Sequence, residues 1–166
     1  MSLLFATLAI AAFIGALTVL PVAARPAGAA GRALRTHSLT VAWIVAAVAT
    51  GGSLYYSEIA GYPPCELCWY QRIAMYPLSV VLLVALLRRD LSVRRYVLPV
   101  VAIGSLVSIY HYVLQRFPSL TSASCDLDNP CTLTWVWEYH FVSIPLMALA
   151  GFTFIAALMI YGGGDR

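Results

Sequence analysis

The chain has 166 residues, 61% of them hydrophobic and only 10% charged, against about a quarter charged in an average globular protein. Its ten basic residues are all Arg, and its seven acidic residues leave a net charge of +3. So few charges cannot clothe a soluble domain of this length, which excludes a soluble enzyme, a disordered chain and a nucleic-acid binder. An all-α polytopic membrane protein is expected.

A helix needs about 20 apolar residues to cross a bilayer, and five stretches reach that length, at 3–24, 39–57, 70–87, 96–115 and 141–162. The first, Leu3 to Ala24, carries no charge. A cleaved signal peptide has positive charge ahead of its apolar run, whereas here the Arg residues follow, so a retained helix is expected. The second runs through Trp43 to Tyr55 and Tyr56; the third follows Trp69 and Tyr70 and stops at Arg88. The fourth carries Pro99 and His111 and ends at Gln115, and the fifth begins near His140 and contains Pro145. Pro77, Pro99 and Pro145 are expected to kink their helices. These runs read as helices because lipid offers no partner to an open sheet edge.

Loop charge gives an orientation. The segments 25–38 and 88–95 each sum to +3, while 58–69 and 116–140 each sum to −2. Positive loops stay cytoplasmic, so the N-terminus is expected outside and the C-terminus inside. Arg72 is the one charge left within a span. A charge at such a position is a functional hypothesis by default, set against an Arg that merely snorkels to the nearby surface.

All four Cys fall in the two acidic segments, Cys65 and Cys68 in one and Cys125 and Cys131 in the other. That orientation puts every thiol on the oxidising side, where disulfides persist. Pro63-Pro64-Cys65-Glu66-Leu67-Cys68 is a C-x-x-C at a helix start, since prolines are tolerated before and within the first turn but no deeper. A helix N-terminus favours a thiolate, and Arg72 follows Cys68 by four residues, one turn down the same face. A thiolate above a guanidinium makes a site for an acceptor that gains negative charge. The second pair, six residues apart, sits among the turn formers Asp126, Asp128, Asn129 and Pro130. A small exposed disulfide there serves exchange better than bracing. Phe117, Leu120, Leu133, Trp135, Val136, Trp137 and Tyr139 are expected to rest on the membrane surface as an aromatic belt. Zinc is disfavoured, because the second pair lacks knuckle spacing. His140 reads as interfacial, and His111 as a hydrogen-bonded core histidine that could instead donate to an acceptor. Tyr70, Gln71 and Tyr76 could line that acceptor's pocket.

Cys65-Glu-Leu-Cys68-Trp-Tyr-Gln-Arg72-Ile-Ala-Met-Tyr-Pro77-Leu closely resembles the redox motif of the DsbB disulfide-bond formation proteins, above all their BdbC-like branch. The likeness continues in Ile109-Tyr110-His111-Tyr112-Val-Leu-Gln115 and from Cys131 through Phe141-Val-Ser-Ile-Pro145-Leu, covering about residues 39–160. It implies a four-helix membrane domain at 39–166 with redox loops at 58–69 and 116–140. Residues 1–38 would then be an extra N-terminal transmembrane helix and its loop, a departure from the four spans usual in that family. The resemblance further implies a bacterial plasma-membrane enzyme with extracytoplasmic cysteines that makes disulfides de novo. A reduced DsbA-like thioredoxin-fold oxidase attacks a Cys125–Cys131 disulfide, most readily at Cys125. Cys131 then attacks Cys65, and Cys68 passes electrons to a membrane quinone, menaquinone or ubiquinone, beside Arg72. The all-Arg basic set hints at a GC-rich genome and so at menaquinone. Cys68, Arg72, His111 and Tyr76 are the residues expected at the quinone. Vitamin K epoxide reductases share the bundle and the C-x-x-C, but their loop cysteines precede that motif, and here they follow it. The reading from another class is a tetraspan scaffold with two purely structural disulfides.

Overall fold

The computed structural model describes residues 1–23, 28–120 and 129–162. Among the described residues five α-helices are formed: α1 Ser2–Ala23, α2 Ala29–Leu54, α3 Glu66–Arg88, α4 Arg94–Arg116 and α5 Ile144–Gly162. All five are long and apolar enough to cross a membrane. The only pairing outside the helices, among the described residues, is an isolated antiparallel bridge between Glu138 and Val142.

Local chemistry sets the helix ends. After α2 a π-helical turn at Tyr55–Ile59 leads to Gly61, whose φ of 71° suits a residue without Cβ. Pro63 and Pro64 hold the chain extended into Cys65, the N-cap of α3, whose thiol accepts a hydrogen bond from the Cys68 amide. Arg89 closes α3 in the left-handed region, and Asp90 caps the next turn by accepting from the Ser92 amide at 2.8 Å. α4 stops at Arg116, just before Phe117-Pro118, as sterics ahead of proline require.

Three expectations need correction. α2 begins at Ala29 rather than near 39, so most of the expected 25–38 loop, with Arg32 and Arg35, is helix. Ala and Arg are strong helix formers, and a helix need not stop where hydrocarbon does. Pro145 sits in the first turn of α5, where its missing N–H costs nothing, and so starts that helix instead of kinking it. Pro77 and Pro99 do lie inside α3 and α4. Val136 is buried rather than lying on the surface with its aromatic neighbours.

α5 is the central helix, packed against α1, α2 and α4, while α3 packs against α2 and α4. Phe152, Ile155, Leu158 and Met159 of α5 are buried with Leu82, Val97 and Val101 in one core. Phe152 reaches α4 through Gly104, where an added Cβ would stand 2.5 Å from its ring. That ring has no room to retreat, because it is fully buried. Gly104→Val is therefore expected to destabilise the bundle by about 1–3 kcal/mol through overpacking. The drop should appear as a lower unfolding temperature in detergent, and an unchanged temperature would contradict the packing.

Candidate functional site

Of the buried polar side chains, Ser38 lies at the far end of α2, while Gln71, Ser108, His111 and Ser143 lie toward the end where α2 finishes and α3 starts. Cys65 and Cys68 are free thiols there, with sulfurs 2.8 Å apart. Cys65 is buried at the N-cap, and Cys68 is partly open one turn in. The Cys65 thiol is pulled down to about 5, chiefly by hydrogen bonding to Cys68, against the opposing cost of burial, and further by His111. Glu66, the one acid in this turn, accepts the Tyr70 hydroxyl at 2.8 Å on the exposed face and so points away from the thiols.

His111 sits on the far side of Cys65. Its Nε2 lies 3.6 Å from the Cys65 sulfur and 3.2 Å from the Cys131 carbonyl oxygen. A carbonyl can only accept, so Nε2 carries the hydrogen and is shared between the two cysteines. The ring is fully buried, and among the described residues its Nδ1 has no partner. The expected core histidine is thus a bridge between the cysteine segments. The three ligand atoms of Cys65, Cys68 and His111 lie within 4.8 Å of one another, a soft-metal composition. The two sulfurs nevertheless stand closer than the ~3.8 Å that two thiolates keep on one tetrahedral zinc.

Cys131 is disulfide-bonded; Cys125, its expected partner, lies outside the described residues, as do Asp126 and Asp128. Cys131 is itself buried, packed with Cys65, Leu67 and Leu114 and flanked by Cys68. This corrects the expectation of an exposed disulfide at its Cys131 half, because His111 and Leu114 of α4 cover that half. Two further contacts dock the segment: Asn129 Nδ2 donates to the Pro63 carbonyl at 3.3 Å, and Trp135 stacks on Tyr62 at 5.2 Å.

Arg72 does not merely snorkel. Its Nε donates to Ser53 Oγ and its Nη2 to the Ser53 carbonyl, both at 3.0 Å, fixing the guanidinium to α2. Trp69 and Tyr76 flank it at 5.3 and 5.9 Å, and the Tyr76 hydroxyl also donates to Ser53 Oγ. Arg72 and Cys68 both line a largely apolar cavity of about 370 Å³, together with Ser53, Tyr56 and Gln71. Gln71 donates to Ser108 of α4. Tyr76 is not among the lining residues and instead holds Ser53, and Tyr70 points to the exposed face. His111 lines a separate small pocket with Cys65 and Cys68. Sequence reasoning missed Ser53, whose only signal was a polar residue after Gly51-Gly52 in an apolar run.

Free thiols poised beside a bonded cysteine, at one end of a bundle able to cross a membrane, define a membrane thiol–disulfide oxidoreductase. The family model of the disulfide bond formation protein DsbB matches residues 35–162, and the chain belongs to that family. It is 42% identical over 129 residues to disulfide bond formation protein C of Bacillus subtilis, covering 77% of this chain and 94% of that protein. It is 43% identical over 121 residues to the probable disulfide formation protein C 1 of Bacillus anthracis, covering 72% and 87%. The probable disulfide formation protein C of Halalkalibacterium halodurans is 46% identical over 121 residues, covering 71% and 88%. No solved structure matches the chain significantly. The protein is accordingly a disulfide-generating membrane oxidoreductase.

The lowered Cys65 thiol makes a signed prediction. Its folded value lies below the ordinary 9.0, so the thiolate stabilises the reduced protein most fully above that pH. The contribution declines as pH falls and is lost through about 5. Thiolate absorbance of the reduced protein should titrate near pH 5, and His111→Ala should move that midpoint upward. A wild-type midpoint at the ordinary thiol value would contradict the site as described.

Proposed function

We propose that this protein carries electrons from a reduced thioredoxin-fold oxidase, outside the cytoplasmic membrane, to a membrane quinone, using its two cysteine pairs in turn. The observation that carries this reading is the cavity with Cys68 and Arg72 in its wall, directly behind a pair of thiols docked against the bonded Cys131.

The burial of Cys131 supports entry at Cys125. The partner's thiolate attacks the Cys125 sulfur, a mixed disulfide forms, the Cys125–Cys131 bond breaks, and Cys131 leaves as a thiolate. A second thiolate of the partner resolves the mixed disulfide and departs with a new disulfide. Cys131 attacks Cys65 of an oxidised Cys65–Cys68 pair, that bond breaks, and Cys68 becomes the thiolate; Cys125 then attacks Cys131 and restores the loop disulfide. Each exchange is thiolate attack on a disulfide sulfur and is favoured by a leaving thiol of low pKa. Cys65 meets that need when it is displaced, because Cys68 and His111 both stabilise its thiolate.

The residues around the cavity fit a quinone. Its walls are mostly apolar, as for a ligand ring and chain, with a few polar groups converging at one end, as in ligand pockets generally. A quinone bound there supplies the capacity to take two electrons and two protons, chemistry that no side chain here provides. Arg72 is held by Ser53 so that its remaining N–H groups can face a developing oxyanion beside Cys68, and charge-assisted bonds of that kind are the strong ones. The apolar walls exclude water and strengthen that interaction. The two basic and two acidic segments support cysteines facing away from the cytoplasm.

Reduction of a soluble quinone by a reduced thioredoxin-fold partner in detergent tests the reading. Cys68→Ser should abolish it. Arg72→Ala should raise the quinone KM about ten-fold or more, the loss of roughly one charge-assisted hydrogen bond. Arg72→Lys should fall between, because a point charge cannot make the two-pronged hold on Ser53. Unchanged kinetics in both Cys68→Ser and Arg72→Ala would overturn the assignment.

A further inference from the structure

α1 lies ahead of residues 35–162, the part matched by the family, yet it is docked at the cysteine end with specific contacts. Ser2 Oγ donates to Glu138 Oε1 at 2.6 Å, which ties the start of α1 to the segment following Cys131. Phe5 packs its ring 5.5 Å from Tyr56 and fills the space over Gly52, where an added Cβ would stand 2.9 Å from that ring. Farther along, Phe154 of α5 occupies the same kind of notch at Gly15. Tyr56 stacks in turn on Tyr62, and Tyr62 on Trp135, so one aromatic series joins α1 to both cysteine segments. Phe5, Tyr56, Tyr62 and Trp135 all line the cavity that reaches Cys68 and Arg72.

Along α1 the lining residues are Phe5, Leu8, Ala9, Ala11 and Ala12, and all but Ala11 keep one helical spacing. The spacing i, i+3, i+4, i+7 is one face of a helix. Since Ser2 is at the cysteine end, Ala12 is deeper in the bundle than Phe5 by about 10 Å at 1.5 Å per residue. α2 runs the other way, from Ser53 at the cysteine end down to Ile44. The polar lining groups, Ser53, Gln71 and Arg72, thus sit at one end of an elongated cavity. At the other, only apolar atoms remain, from Ala12, Ile44, Val45 and Phe154. A cavity with that polarity fits a ligand with a reducible polar ring and an apolar chain. The small side chains of Ala9 and Ala12 face the space that such a chain would fill.

We propose that α1 is the tail-binding wall of the acceptor site. A quinone whose ring meets Cys68 and Arg72 lays its apolar chain along Leu8, Ala9 and Ala12, between α1 and α2. This rests on the quinone acceptor argued above and adds a specificity determinant outside the four-helix core. Chain contacts far from the reacting ring are the same in ground and transition states, so they act on KM rather than kcat.

Full-length protein with Ala12→Val, Ala12→Phe, or Ile14→Phe on the exposed face of α1 tests this. Each is assayed with an isoprenoid quinone and with the same ring lacking its chain. The Ala12 variants should raise KM for the tailed quinone in order of size, by about ten-fold for Phe. Their kinetics with the tail-less ring should stay within about two-fold of wild type, which also reports an intact fold. Ile14→Phe should leave both acceptors unaffected. Equal losses with both acceptors at Ala12, or no loss with either, would overturn the role of α1 while leaving the quinone acceptor standing. Wild-type protein that reduces neither quinone would overturn the acceptor reading, and this proposal with it.

Discussion

A guanidinium inside an apolar bundle must have its hydrogen bonds supplied by the protein, and Ser53 supplies two of those made by Arg72. Hydrogen bonds to a charged group contribute about 1.5–3 kcal/mol each, more than neutral ones. The contact therefore fixes the level at which α2 meets α3. Tyr76 donates to the same Ser53 hydroxyl, so a single small side chain holds two larger ones. Its consequence is positional. Arg72 is held one turn from Cys68 and in the same cavity wall, with its charge turned inward rather than lost to the surface.

The remaining polar groups follow the same constraint, because lipid offers them nothing. Gln71 meets Ser108 and His111 meets Cys65 and Cys131, all toward the end of the bundle that holds the thiols. Each of these contacts crosses between elements. The result is that two segments far apart in sequence, one ending at Cys68 and one containing Cys131, share a buried cluster. A histidine hydrogen shared by a thiol and the neighbouring cysteine's carbonyl joins them more tightly than packing alone. Among the described residues, His111 Nδ1 is one of several buried polar atoms left without a partner, with Gln115 Oε1, Asn129 Oδ1 and Ser143 Oγ.

Much of this was legible in the chain. Apolar length gave five helices, and Pro63-Pro64 gave the helix start that makes Cys65 an N-cap, because proline permits few backbone alternatives. Arg72 stood out because a charge in a span needs a reason. Helix ends were less legible: α2 extends ten residues before its apolar stretch, since hydropathy marks the lipid and not the helix. Burial of Cys131 was hidden as well. Its neighbours Asp128, Asn129 and Pro130 read as an exposed turn, and only α4 packing over the segment encloses it. Ser53 and the lining face of α1 could not be found from sequence periodicity. Ser53 matters through one long-range partner, and α1 is apolar on every side, so no stripe marks the face that looks inward.

The thiols at a helix end, the charge held by Ser53 and the cavity bounded by α1, α2, α3 and α5 lie one behind another. The most direct measurement is an experimental density map of the purified protein in lipid nanodiscs supplied with a tailed quinone. Planar density between Cys68 and Arg72, with a chain running from it between α1 and α2, is the expected result. Planar density on another face of the bundle, with lipid filling this cavity, would contradict it.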